Sequence, residues 1–284
     1  MHMAENKHIR RLKRALMILF FACLCLVFIM PFYFMVISSF KPGTDVIRNG
    51  LSFGIDWSTA TVKSYVSLFT YRDGIYFSWF KNSILIAAVQ TITSLFFSAF
   101  VGYGLAMYEF KGKNLIFTLV LVYMMLPFEV LMLPLYRMLA AAHLLNTIFA
   151  VIMPTLVMMF AVFFFKQYCS SLPKELIDAG RIDGCTDYGI YFKIMLPLMR
   201  PAIGAMAILI AMRSWNNLLW PMLVISTDTS FTLPIGLATT MTPYGDAYDV
   251  IMPGAIFSVV PIMIAFFCCQ NLFISGMTIG SVKE

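Results

Sequence analysis

Formal charges divide the chain into long apolar runs. Arg14 to Lys41 encloses 26 uncharged residues, Lys81 to Glu109 27, Arg137 to Lys166 28, and Asp249 to Lys283 33. Two further runs, 114–136 and 201–227, are each interrupted by one charge, Glu129 and Arg213. About 20 apolar residues suffice to cross the hydrocarbon of a bilayer as a helix. The pattern therefore predicts an all-α polytopic membrane protein with six transmembrane helices, near 15–39, 80–108, 114–134, 147–166, 198–224 and 251–275.

Between the runs lie polar segments of different character. Residues 40–78 are polar and aromatic, which suits an interfacial segment with some short helix. Residues 105–114 make a tight turn, with Gly112 and Asn114 as turn formers. Residues 226–250 are punctuated by Pro234, Gly236, Pro243 and Gly245.

The most patterned polar segment is Lys174–Pro201. Ser171 is placed to cap a helix and Pro173 to stand in its first turn. Leu176, Ala179 and Ile182 then recur at helical spacing as a narrow apolar stripe, with Glu175, Asp178 and Arg181 projecting elsewhere. Gly184 permits a left-handed turn, Thr186 can cap a second short helix, and Leu196-Pro197 leads into the fifth span. The spacing predicts a small helix-turn-helix with one apolar side, narrow enough to enter another protein's groove. An amphipathic connecting loop without a partner fits the same pattern.

Composition agrees with a lipid solvent. Of 284 residues 61% are hydrophobic and 12% charged, against about 25% charged in a soluble domain. Lys and Arg in the loops set the orientation. An inside amino terminus collects thirteen of them in the cytoplasm and leaves six outside, so both termini are expected inside. The net charge of +6 then reflects topology and gives no reason to expect nucleic acid. The first apolar run exceeds a signal peptide's core, and Phe32-Tyr33-Phe34 stands where small residues belong, so it reads as a retained helix. Cys23, Cys25, Cys268 and Cys269 fall in spans, and Cys169 and Cys185 in the loop after span four. No C-x-x-C pair exists, so neither a disulfide nor a metal site is expected.

The 174–197 segment resembles the signature loop of ABC importer membrane subunits. Asp178-Ala179-Gly180 stands for Glu-Ala-Ala, Gly184 for the following glycine, and Ile194-x-Leu196-Pro197 for the closing Ile-x-Leu-Pro. Asp for Glu and Gly180 for the second Ala depart from that pattern, and Gly180 should loosen the helix by up to about 1 kcal/mol. The resemblance extends over nearly the whole chain to the carbohydrate-uptake branch, the maltose-type second permease. Phe80-Lys81-Asn82-Ser83, Tyr108–Asn114, Ser214–Pro221 with its Trp-Asn-x-x-Leu-Trp-Pro-like box, and Gly276–Lys283 carry it further.

The resemblance implies a type I ABC importer membrane-domain fold in the bacterial cell (inner) membrane. Its divisions are residues 1–75 (amino terminus, first helix and outer loop), 76–275 (transmembrane domain with coupling loop 171–197) and 276–284 (cytoplasmic tail). It implies a heterodimer with a homologous second permease, two ATPase subunits and an extracytoplasmic sugar-binding protein. No G-x-x-x-x-G-K-[ST] motif is present, so ATP and magnesium would be used by the partner ATPase, and this chain is expected to be non-catalytic. ATPase coupling is expected at Glu175, Asp178, Ala179, Gly180, Asp183 and Gly184, with Gly280 and Lys283 as tail contacts.

For the translocation path the candidates are Glu129, Arg213, Trp215, Asn216, Asn217 and Trp220. Charges inside a membrane are costly and usually face a cavity or a partner, which suggests an inward Glu129–Arg213 pair. The indoles and amides suit sugar rings, but equally an interfacial belt and interhelical bonding. A glycerol-3-phosphate or other small-solute importer is the alternative. A secondary sugar carrier is a remote one, because nothing in it requires the 174–197 spacing.

Overall fold

The computed structural model describes residues 7–50, 54, 60–241 and 247–278. The regular elements among them are helical: α1 (Lys7–Ser39), α2 (Gly43–Asn49), α3 (Lys63–Thr70), α4 (Ile75–Met107), α5 (Lys113–Met124), α6 (Phe128–Ala141), α7 (Ile148–Ile152), α8 (Met159–Ser170), α9 (Glu175–Ile182), α10 (Asp187–Ile190), α11 (Leu196–Leu198), α12 (Arg200–Trp215), α13 (Leu219–Val224), α14 (Leu233–Thr239) and α15 (Tyr248–Thr278). A π-helical turn, Tyr191–Met195, joins α10 to α11.

Three of the predicted spans are single helices: α1, α4 and α15 each contain a stretch long and apolar enough to cross a membrane. The other three are broken. Helices α5 and α6 meet at 103°, Ile148–Thr155 and α8 at 43°, and Asp187–Leu198 and α12 at 76°, so the described residues give up to six spans if each bent pair is one. The run near 114–134 is thus not the straight span its composition suggests. Pro127 stands at the break with φ −61° and ψ 132°; it has no N–H to continue α5, and it disfavours helix in the residue before it. Pro154, and then Pro197 and Pro201, accompany the other two bends. The fifth run likewise ends early, at Trp215, and α13 is a separate short helix.

The chain forms two compact units. In the unit of Met1–Gly74 and Thr240–Phe257, Ser39 Oγ lies 2.8 Å from Tyr65 Oη. The rings of Tyr65 and Phe69 pack on Phe257, and the Asp249 carboxylate accepts from Gly43 N–H at the start of α2.

The unit of Ile75–Thr239 and Ser258–Glu284 is built around α4, which packs on α8 and α12. Ser83, Ala87, Gln90, Ser94 and Ser98, at near-helical spacing, all lie on its buried face. At one end of α4 the Phe80–Ser83 motif ties down the segment before α14. Trp79 Nε1 donates to Asp228 O at 2.9 Å, Asn82 Nδ2 to Thr229 O and Phe231 O, and Leu233 N–H to Ser83 Oγ at 2.7 Å. Midway, Ser98 Oγ accepts from Met158 N–H at 3.1 Å and donates to Met158 O at 3.4 Å. Those are main-chain groups freed at the break before α8, and a backbone break at membrane depth is tolerated when protein satisfies it.

Candidate functional site

The 171–197 segment folds as the helix-turn-helix that its sequence predicts, with one change at its start. Ser171 does not cap α9: its Oγ donates to Tyr168 O at 2.7 Å, closing the end of α8, and α9 begins at Glu175 without a side-chain cap. Glu175 and Asp178 lie in the first turn of α9 and Arg181 in its last, an order that complements the helix dipole. Its carboxyl end is a complete Schellman turn. Gly184 N–H donates to Arg181 O at 3.0 Å and Cys185 N–H to Gly180 O at 2.9 Å, with Gly184 at φ +77°. Thr186 Oγ1 then accepts from Gly189 N–H at 3.1 Å and caps α10.

One face of this loop is braced and the other is bare. Ile177 is buried in a core that also holds Tyr103, Phe165, Ile190, Tyr191, Met195 and Met199. Gly180 is buried with it, and a Cβ there would stand 2.9 Å from both Ile190 Cγ1 and Ile194 Cδ1. That close approach gives Gly180 a packing reason besides its helix-weakening cost. The predicted apolar stripe is split: Leu176 is half-buried against that core, whereas Ala179 and Ile182, the latter 87% exposed, face outward with Glu175, Asp178, Asp183, Gly184 and, beyond the turn, Tyr188.

A hydrogen-bonded hub joins the loop to the end of α4. Asp187 Oδ1 accepts from Tyr108 Oη at 3.1 Å and from an Arg181 guanidinium N–H at 3.2 Å. Tyr108 Oη lies 3.2 Å from Tyr103 Oη, which is on α4. Burial and its bond to Asp187 push the Tyr108 hydroxyl above the usual phenol range, burial being the larger effect, so it stays protonated as a donor. The turn before α5 is tied to itself and to this loop: Lys113 Nζ bonds Glu109 at 2.9 Å, Lys174 Nζ lies 3.7 Å from the same carboxylate oxygen, and the two amines, Lys113 foremost, keep that carboxyl below the usual carboxylate range.

The predicted translocation residues are dispersed. Glu129 is exposed in the first turn of α6, Arg213 is exposed in the last turn of α12, and no ion pair joins them among the described residues. The expected pair assumed one straight span through Glu129, whereas the 103° break starts a new helix there. Both indoles are committed to main chain. Trp215 Nε1 donates to Ser258 O at 3.0 Å, and Trp220, fully buried, donates to Ala150 O at 3.2 Å. Asn216 closes α12 by donating from Nδ2 to Met212 O, and Asn217 N–H bonds Ser214 O. Cys169 sits buried in α8 and not in the following loop. Gly280, Lys283 and Cys269 lie outside the residues whose side chains are described.

Counting formal charges passed over the polar residues that the fold does bring together. Gln90 Nε2 donates to Thr155 Oγ1 at 2.6 Å, and Ser214 Oγ donates to Gln90 Oε1 at 2.6 Å. This network borders a cavity of about 480 Å³ lined also by Ser94, Tyr123, Phe160 and Arg213. The signal was the i, i+4, i+8 series Gln90, Ser94, Ser98 inside an otherwise apolar run, since that spacing puts all three on one helix face.

The described residues thus form a bundle of broken apolar helices that carries a short, braced helix with a bare outer face, as in a polytopic membrane subunit. Comparison with known proteins agrees. Residues 96–279 match the family described as binding-protein-dependent transport system inner membrane component. The chain is 51% identical over 93% of its length, and 94% of the relative's, to the arabinooligosaccharides transport system permease protein AraQ of Halalkalibacterium halodurans. It is 34% identical over 90% of its length, and 91% of the relative's, to the lactose transport system permease protein LacG of Rhizobium radiobacter. A crystal structure of a bacterial ABC transporter involved in the import of the acidic polysaccharide alginate superposes with a TM-score of 0.81 at 19% identity, covering 93% of this chain and 97% of that one; this likeness speaks to the fold. The chain belongs to the binding-protein-dependent transport system inner membrane component family, and is a multi-pass membrane permease of the type I ABC importer fold.

Proposed function

We propose that this chain is one of two homologous permeases in an ATP-driven, binding-protein-dependent importer of neutral oligosaccharides, arabino-oligosaccharides foremost. The substrate class rests on the relatives named for arabinooligosaccharides and lactose. The observation that carries the mechanism is α9, fixed to the bundle through Ile177 and Gly180 while Ile182 and Ala179 are bare. A helix presented this way is suited to sit in a groove of the ATPase and to be moved by it as a rigid body. ATP and magnesium belong to the ATPase subunits, and this chain supplies half of the translocation path. The loaded binding protein must favour the outward-facing state over the inward-facing one, because equal affinity for both would shift nothing. Coupling runs from Glu175, Asp178, Ala179, Gly180, Asp183 and Gly184 through the Asp187 hub into α4.

Reconstitution tests this reading. The chain with its companion permease, ATPase and binding protein in proteoliposomes is expected to accumulate arabinotriose only when ATP and binding protein are present. The isolated chain is expected to carry no flux and hydrolyse no ATP. Arabinotriose flux through the isolated chain without ATP would refute it.

The Asp187 hub gives a finer prediction. Asp187→Ala removes the acceptor shared by Tyr108 and Arg181, whereas Asp187→Asn keeps an oxygen there. Arg181 and Asp187 are more than half exposed and Tyr108 is half-buried, so solvent screening keeps the effect of losing these bonds modest. Sugar accumulated per ATP hydrolysed should therefore fall about two- to fivefold in Asp187→Ala and be largely retained in Asp187→Asn. Equal ratios in the two variants would remove Asp187 from the coupling route.

A further inference from the structure

We propose that the cavity between α4, the α5–α6 elbow, the break before α8 and the end of α12 is a subsite for vicinal hydroxyls of a neutral sugar. The proposal rests on the oligosaccharide-importer reading and adds a place on this chain where the sugar is held in transit. Two breaks in membrane-embedded helices border one cavity: Leu126 and Phe128 from the α5–α6 elbow, Pro154 and Thr155 from the other. Irregular backbone at that depth survives where it is buried or faces a water-filled space.

The polar groups around the cavity have capacity that the protein leaves unused. Ser94 is fully buried, lines the cavity, and its Oγ makes no hydrogen bond among the described residues. That is unusual for a helical hydroxyl, which can fold back on its own main chain. Thr93 Oγ1, one residue earlier, does so onto Val89 O at 2.7 Å. Gln90 spends one amide N–H on Thr155 and one lone pair on Ser214, which leaves one donor and one acceptor. Arg213 brings a fork of five N–H donors and forms no ion pair among the described residues.

The set mixes groups that donate and accept with a single cation. The spare acceptors on Ser94 and Gln90 have a use with a neutral polyol and none with an anion. Hydroxyl groups both donate and accept, and two adjacent sugar oxygens match the spacing of a guanidinium fork. Tyr123 and Phe160 supply the apolar walls against which the C–H face of a sugar ring packs.

Ser94→Ala is the decisive variant, because the hydroxyl it removes holds nothing in the protein. In the complete transporter, arabinotriose accumulated per ATP hydrolysed should fall about fivefold, the worth of one net hydrogen bond. For the monodeoxy arabinotriose that lacks the recognised hydroxyl, wild type and Ser94→Ala should be equal. Arg213→Gln should lower the same ratio at least as far, with the companion permease still co-purifying. Unchanged ratios in both variants would overturn the subsite while the wild-type uptake upheld the importer. Loss of the companion permease from Arg213→Gln would reassign the cavity to a permease–permease contact and overturn it too. Arg213→Gln that spares arabinotriose but blocks uronate-bearing sugars would overturn the neutral ligand. If wild type accumulates no arabinotriose, the importer reading and the subsite fall together.

Discussion

Gly184→Leu is expected to abolish sugar uptake in a transporter that still inserts and assembles. Gly184 is at φ +77°, and a Cβ built there meets nothing within 4 Å. Steric room is therefore not the constraint; the left-handed backbone is. A non-glycine residue costs about 1–2 kcal/mol in that conformation, and the turn has an inexpensive way to relieve it, by giving up the Arg181–Gly184 and Gly180–Cys185 bonds. Helix α9 has eight residues, too few to hold its own shape in water, and without its Schellman end it presents Ile182 at a different angle. The ordering of substitutions separates this from bulk. Gly184→Ala should lose most of the uptake, nearly as leucine does, while Gly184→Asn, whose side chain tolerates the left-handed region, should keep much more. Uptake and sugar-stimulated ATP hydrolysis in membranes with equal amounts of each variant would decide it. Normal uptake by Gly184→Leu would sink the coupling assignment.

Most of the shape of the 171–197 loop was legible in the sequence because its elements are local, although the equally local cap expected at Ser171 is not formed. Thr186 as a cap, Gly184 as a left-handed residue and Leu176, Ala179 and Ile182 as a helical stripe each depend on neighbours within a turn or two. Apolar run length likewise located the three single-helix spans α1, α4 and α15 and the three bent pairs that bring the total to as many as six, since hydrocarbon thickness sets the length whatever the helices pack against. Run length says nothing about straightness, however. Residues 114–134 are apolar on both sides of Pro127; the proline marks where α5 can stop, but the three-dimensional path is needed to give the 103° bend that separates Glu129 from the line of α5. The Trp215–Trp220 box illustrates the opposite difficulty. Its residue types suit a sugar, but their partners, Ser258 O and Ala150 O, lie 43 and 70 residues away in sequence. The cavity was hidden for a third reason: Gln90, Ser94 and Thr155 carry no charge, and the membrane penalty that draws attention to Arg213 is much smaller for hydroxyls and amides.

Two glycines on α4, two residues apart, should respond in opposite directions. A Cβ on Gly102 would stand 2.6 Å from Phe165 Cβ and 2.9 Å from both Lys166 N and Val162 O. Two of those three atoms are main chain of α8, so no rotamer change makes room, and the two helices must separate. Phe165 and Val162 are fully buried on the other side of that contact, so separation opens the core beneath the coupling loop. Overpacking by a methyl costs roughly 1–3 kcal/mol, and leucine adds three carbons more. Gly104, by contrast, has nothing within 4 Å of its would-be Cβ, and alanine is the better helix former by about 1 kcal/mol. Gly102→Leu is expected to leave almost no assembled complex in the membrane. Gly102→Ala should assemble but unfold on the order of 5 °C lower in detergent, and Gly104→Ala should match or exceed wild type. Thermal unfolding of the purified complexes measures all of this, and a Gly102→Leu complex as stable as wild type would show that α4 and α8 do not meet as closely as this fold requires.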